Sequence, residues 1–238
     1  MPRTIVVMIT FTLMTDATGW LASLQQADSF FPGGAMAFSW GLEALQQAGY
    51  VMDADSLAVF VDAQALERWA SLDQGIVCAA WRAESFDAWC EVDAMAEAVT
   101  LAAPMRDGAR RLGRTLADVH ARLGVPLAAR IRAAIRAGST PGHLPAVQGA
   151  IWRSLGMAED HARAVSAHAA CTGAVSSAVR LGIVGHLDAQ RVLSGLRTRL
   201  AAVLDAPAPP LDALWSNTFA ADIAAMRAQG HDARLFAN

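Results

Sequence analysis

The chain has 238 residues, enough for one large domain or two small ones, and a formal net charge of −3 in which all 19 basic residues are arginine. The near-neutral balance argues against a nucleic-acid binder, and the absence of lysine excludes an ordinary phosphate-binding loop. The composition is 54% apolar but only 7% aromatic, and rich in alanine, which favours helices packed on one another over sheets.

Residues 5–14 form an apolar run behind Arg3. It is too short to span a bilayer, and no small-x-small cleavage site follows it. Translation from Met14, or an N-terminal extension covering residues 1–20, fits the run better than secretion. A helix is predicted over 20–29 and stops at Pro32, which fixes φ and donates no hydrogen bond. Gly33 and Gly34 permit a sharp turn. Phe30, Phe31, Met36, Phe38 and Trp40 surround that turn. Loops are mostly polar, so this one is either buried or covered by a partner. Gly41 is read as a close approach of two backbones.

Further along, Leu57, Val61, Ala65, Trp69, Leu72, Ile76 and Ala80 recur at steps of three and four, one face of a long helix. Helices are predicted over 92–102, over 106–123 with Gly124 as a stop, and from Pro126 to the loop at 138–142. Residues 144–155 and the Ala-rich 158–181 follow. Asp188 is a fair N-cap for a helix carrying Leu193, Leu196, Leu200 and Leu204. Pro207, Pro209 and Pro210 end that helix, and a last one is predicted over 211–227. No alternating strand pattern and no Pro/Gly/Ser linker occur. The expected fold is all-α, a single-domain bundle of about eight to ten helices.

Catalytic motifs are missing. No G-x-x-x-x-G-K-[ST], G-x-S-x-G, H-E-x-x-H or C-x-x-C is present. Cys78, Cys90 and Cys171 are scattered and odd in number, which suits buried thiols in a reducing compartment such as the cytoplasm. His161 and His168 share a helix face but lie about two turns apart, too far for one ion, and His168 with Cys171 reads as a core thiol beside a surface histidine. No metal site and no cofactor are expected. Arg180, on a helix expected to be central, needs a carboxylate partner such as Glu43 or Asp188, or else faces a binding partner. Arg106, Arg110, Arg111 and Arg114 read as a solvated face. Ile223, Met226, Leu235 and Phe236 are apolar residues close to the chain end, where polar fraying is usual. They either dock on the body or enter a partner's groove.

Asp28, Ser29, Pro32, Gly34, Ser39, Gly41, Leu42 and Glu43 form one of four segments, with 143–149, 176–191 and 222–236, that together resemble the urease accessory protein UreF family, and they stand on its N-terminal signature. Residues 176–182 with 185–191 are similar to its S-A-A-V-R-L and L-G-Q-T-D-x-Q-R elements. Residues 222–227 and 234–236 are similar to its D-I-A-S-M-R and R-L-F ending, and 143–149 resemble a further element. The ending departs from the pattern: Ala228 and Gln229 stand where His-Glu is usual, and Asp232 where Tyr is usual.

The resemblance implies a non-catalytic protein that joins a UreD/UreH-type accessory protein, recruits a UreG-type GTPase and acts on apo-urease subunits. It would couple the GTPase's nucleotide state to nickel insertion, with a homodimer expected and no membrane. It further implies a helical domain over 21–226 and a partner-binding tail over 227–238. The residues assigned to partner binding are Pro32, Gly34, Phe38, Ser39, Gly41, Glu43, Arg180, Ile223, Met226, Arg227, Arg234, Leu235 and Phe236. Two rival readings are a direct nickel-binding metallochaperone and a helical enzyme with an unrecognised pocket. Nickel titration of the isolated chain separates the first rival, and the missing catalytic motifs count against the second.

Overall fold

The computed structural model describes residues 17–33, 38–228 and 236. All regular structure among them is helical. The first helix, α1, covers 17–27, so it begins inside the stretch read as an N-terminal extension. It is tied to the body by Gln26, whose Oε1 accepts from Trp152 Nε1 at 3.1 Å. After it, Asp28 Oδ1 accepts from the Phe30 amide at 2.9 Å and turns the chain before Pro32.

Helix α2 (Leu42–Gln47) is short. Helix α3 (Ala54–Gln64) opens on a capping box in which Asp53 Oδ1 accepts from the Ser56 amide and Ser56 Oγ accepts from the Asp53 amide. The single long helix expected from Leu57 to Ala80 is interrupted. Residues Ala65–Asp73 form a π-helix before α4 (Gln74–Arg82) resumes. The change escapes a periodicity argument because the apolar side chains stay on the inner face throughout. Its consequence is local: the carbonyls of Glu67 and Ser71 accept from the amides of Asn217 and Trp215 at 2.9 and 3.2 Å. These bonds anchor the segment that leads into the last helix.

Then come α5 (Phe86–Val99), α6 (Ala103–Arg122), α7 (Pro126–Arg136), α8 (Leu144–Ser154), α9 (Glu159–Arg180) and α10 (His186–Asp205). Helix α5 starts earlier than the expected 92 because Ser85 caps it, its side chain accepting from the Ala88 amide. Helix α10 likewise starts at His186, so Asp188 lies in its first turn and is not its cap. Asp188 there pairs with Arg191 at 2.6 Å.

Helix α8 is buried from Pro145 through Trp152, as an element at the centre of a bundle must be. Its Gly149 lets α4 cross at backbone distance, since a Cβ there would strike the Val77 carbonyl. Around this crossing lies one apolar core, with Leu72, Ile76, Leu116, Ile131 and Ile151. A second core holds Leu42, Leu57, Val61, Val175 and Leu196 between α2, α3, α9 and α10. The buried indoles find acceptors, as they must: Trp69 Nε1 donates to Ser166 Oγ and Trp89 Nε1 to the Ala146 carbonyl. Arg163, buried on α9, donates to the carbonyls of Val203, Leu204 and Ala206. It thereby satisfies the orphan carbonyls at the end of α10.

The end of the chain differs from the single helix expected over 211–227. A 3-10 turn (Leu211–Ala213) is followed by an extended stretch, and α11 (Phe219–Ala228) begins only after it. The amides of Trp215 and Asn217 are committed to the π-helix carbonyls, which holds this stretch out of a helix.

Candidate functional site

Beyond Pro32 and the residues outside the described set, the chain is buried at Phe38 and Ser39. Phe38 meets Trp40 edge-on at 4.8 Å and lies against Gly108 of α6. Its carbonyl accepts from Ser177 Oγ at 3.3 Å. Trp40 and Gly41 take left-handed φ values of 55° and 82°. The turn brings Gly41 so close to α11 that a Cβ would sit 2.5 Å from the Ala221 carbonyl oxygen. Pro32 is exposed. Gly34 lies outside the described residues, as do Arg234 and Leu235.

Helix α11 is two-sided. Ala221 and Ala225 pack inward, while Phe219, Ile223 and Met226 are exposed, and so is Arg227. Beside it runs a groove of about 750 Å³, floored by Leu45, Phe60 and Ala63 and flanked by Tyr50 and Val59. Tyr50 and Val59 are exposed too, so apolar surface continues from α11 across to α3.

Phe236 lies on the body and is 3% exposed. Its amide donates to Glu43 Oε2 at 3.1 Å, and its ring lies under the Arg180 guanidinium at 4.6 Å. Arg180 is exposed at the last position of α9 and is not the buried arginine anticipated. Among the described residues, the buried arginines are Arg68 and Arg163. Arg68 stacks on Trp40 at 4.9 Å, and its Nε stands 3.4 Å from Asp73 Oδ2. Burial pushes the carboxyls of Asp73 and Asp222 above their ordinary range, against the pull of Arg68.

A second polar cluster holds the 140–143 loop against α5. Asp93, fully buried, accepts from Thr140 Oγ1 and from the amides of Gly142 and His143, the latter two at 2.7 Å. His143 Nε2 meets Glu97 Oε2 at 2.8 Å, and Glu97 also receives the Arg110 guanidinium. Burial alone would raise the Glu97 carboxyl, yet Arg110 and His143 together bring it below its usual range. Arg106 caps α5 through the carbonyls of Thr100 and Leu101. Arg106 and Arg110 therefore have structural duties, and the solvated-face reading fits Arg111 and Arg114 alone. Nothing in the sequence pattern marks Arg68, Asp93, Glu97 or Arg163, because polar residues inside a helical pattern carry no signal of their burial; His143 is marked only by the family element.

Among the described residues, no three His, Cys, Asp or Glu side chains converge to hold an ion. His161 packs against Trp20 at 4.0 Å. Cys171 is buried and its thiol is pushed up to about 12. No described helix is long and apolar enough to cross a membrane. The described surface features are an apolar face on α11 with a groove beside it, and Phe236 docked against Glu43 and Arg180.

A profile of the UreF family matches residues 51–197. The urease accessory protein UreF of Trichodesmium erythraeum is 29% identical over 232 residues, which cover 94% of this chain and 99% of that protein. That of Rhizobium etli is 34% identical over 224 residues, covering 92% and 93%. That of Actinobacillus pleuropneumoniae is 29% identical over 220 residues, covering 90% and 97%. With its helical fold and with these matches along nearly its whole length, the chain belongs to the urease accessory protein UreF family, a non-catalytic, chaperone-type family with a role in urease maturation.

Proposed function

We propose that this chain assembles with a UreD/UreH-type accessory protein and a UreG-type GTPase on apo-urease, and couples the GTPase's nucleotide state to nickel insertion. The observation that carries the reading is the outward face of α11. Ile223 and Met226 are exposed on it, next to an apolar groove, in a chain of this family. Exposed apolar surface of this kind favours a protein partner. Ile223, Met226 and Arg227, with Arg234 and Leu235 beyond them, would meet the UreD/UreH-type partner directly. The buried Phe38, Ser39, Gly41 and Glu43 would hold α11 and the tail in place, with Arg180 and Phe236 at its edge. Pro32 and Gly34 would form a second contact. We take nickel to be cargo, the assembly to be dimeric in this chain, and its compartment to be the cytoplasm.

A scaffold can shift a GTPase only by binding one nucleotide state better than the other. The test is to titrate the purified complex of this chain and its UreD/UreH-type partner with the UreG-type GTPase, loaded with GDP or with a non-hydrolysable GTP analogue. A difference in Kd of about fivefold or more is expected. Equal affinities for both states would end the coupling proposal.

A further inference from the structure

A cleft of about 510 Å³ runs inward between the end of α1, the π-helix, α6, α8 and α9. That volume suits a small organic molecule. Its walls are largely apolar, with Trp40, Trp69, Leu112, Trp152 and Val175 among them. Arg68 of the π-helix stands in this wall and is only 5% exposed. Its Nε lies 3.4 Å from Asp73 Oδ2 without forming a hydrogen bond, and no described residue accepts from the rest of its guanidinium. A buried guanidinium ordinarily finds acceptors for its N–H groups. Arg163 does so, donating to Gln74 Oε1 and to three backbone carbonyls. Gln26 adds a second donor at the wall. Its Oε1 is taken by Trp152 Nε1 and His120 Nε2; the indole can only donate, which fixes the orientation of the amide and leaves Nε2 without an acceptor.

We propose that this cleft binds a small organic carboxylate, held by the Arg68 guanidinium and the Gln26 amide, with its apolar body against the tryptophans. A guanidinium meets a carboxylate through two parallel N–H···O bonds, a match that no neutral ligand offers. Two acids share the wall. Asp73 engages Arg68 only on its Nε side, and burial holds its carboxyl toward the neutral form, which lessens the repulsion of a second carboxylate. Asp28 is exposed, and its Oδ1 already accepts from the Phe30 amide. The backbone around Arg68 fits such a role, because π-helical turns within α-helices recur at functional sites. None of the lining residues belongs to α11, so the cleft can be tested in the isolated chain, whatever partner that helix meets.

The experiment titrates sodium benzoate into the full-length chain by calorimetry, with benzamide as its uncharged match. Benzoate is expected to saturate one site with a Kd below about 1 mM, within reach of so small a ligand. Benzamide should bind at least about tenfold more weakly, and Arg68→Gln should weaken benzoate by at least about tenfold. No saturation by about 10 mM benzoate, equal binding of the two probes, or unchanged benzoate affinity in Arg68→Gln would each overturn the site. Should the melt of Arg68→Gln show misfolding, Ala169→Phe serves instead. Ala169 is half-buried on the α9 wall, and a ring there narrows the cleft while leaving Arg68 in place. Benzoate binding is expected to be lost in that variant, and retention of the wild-type affinity would overturn the proposal.

Discussion

Gly41 and Ala221 touch backbone to backbone: a Cβ on Gly41 would stand 2.5 Å from the Ala221 carbonyl oxygen, and Gly41 has a φ of 82°. The turn after the aromatic loop and the last helix are thus locked together at a position that suits only glycine. Gly41→Ala is expected to cost about 2–4 kcal/mol, combining left-handed strain with a clash against rigid backbone. Thermal melts of the variant check this. A change in Tm of less than a degree or two would mean that α11 moves away without cost.

Asp93 supports the second prediction. Its carboxylate accepts from the amides of Gly142 and His143 and from Thr140. Asp93→Ala leaves buried amides without acceptors, so a loss of about 3–5 kcal/mol is expected by urea unfolding. Asp93→Asn retains one acceptor oxygen and should fall between the two. If the alanine variant is as stable as wild type, water has replaced the carboxylate and the loop does not depend on it.

Acid stability turns on His120. It is buried, its Nε2 meets Gln26 Oε1 at 3.0 Å, and burial pushes its pKa from 6.5 down to about 4. The unfolded chain therefore takes up this proton first. Stability is intact above pH 6.5 and declines as pH falls from 6.5 to 4, by roughly 3 kcal/mol from this group. His143 and His168 are displaced the same way by burial, while the raised Asp73 acts in the opposite sense. His120→Gln should therefore flatten the acid limb without abolishing it. Unfolding free energies measured across that window decide the point, and identical slopes in both proteins would show that His120 is charged in the folded state.

The thiols give a kinetic check on the packing. Cys78 and Cys171 are buried and pushed up to about 12 by burial, whereas Cys90 is half-buried. Iodoacetamide at neutral pH is expected to modify Cys90 first, and the other two only at the rate of unfolding. Mass spectrometry of timed samples reads the order. Early labelling of Cys171 would mean that α9 opens locally.

The helices were legible because their apolar residues repeat on one face, as Leu112 and Leu116 do on α6. The π-helix was not, because its inner face continues the same stripe and only its hydrogen bonds differ. Residues 214–218 read as helix because no side chain there marks an extended stretch; the marks are backbone bonds to Glu67 and Ser71, far away in sequence. Of the candidate site, Gly41 and the apolar loop stand out as a breaker cluster, but aromatic content alone does not sort its residues: Phe38 is buried, Phe31 and Trp40 are half-buried and Phe30 is 91% exposed. Arg68 and Asp93 were hidden because a polar residue in a helical pattern looks the same whether it faces water or a buried partner. Arg180 misled for the converse reason: small neighbours on α9 suggested the interior, but the helix ends there and the side chain reaches the surface.

The outward face of α11 gives the prediction closest to function. Ile223 and Met226 are exposed, whereas Ala225, between them in sequence, is 1% exposed. Ile223→Asp with Met226→Asp should leave the melt nearly unchanged, within about 0.5 kcal/mol per site, because neither side chain packs in the core. If both are buried by a UreD/UreH-type partner, each contributes roughly 1.5–3 kcal/mol there. Even about 2 kcal/mol in total weakens binding about 30-fold, which removes co-purification at micromolar concentrations. Ala225→Asp is the contrasting variant: it places a charge in the core and should lower the melt itself. Truncation after Met226 is a poorer probe, because it also deletes Phe236, which is docked on the body. A double variant that folds and still co-purifies with the partner would exclude this face from the interface and leave the groove floored by Phe60 and Ala63 as the surface to mutate next.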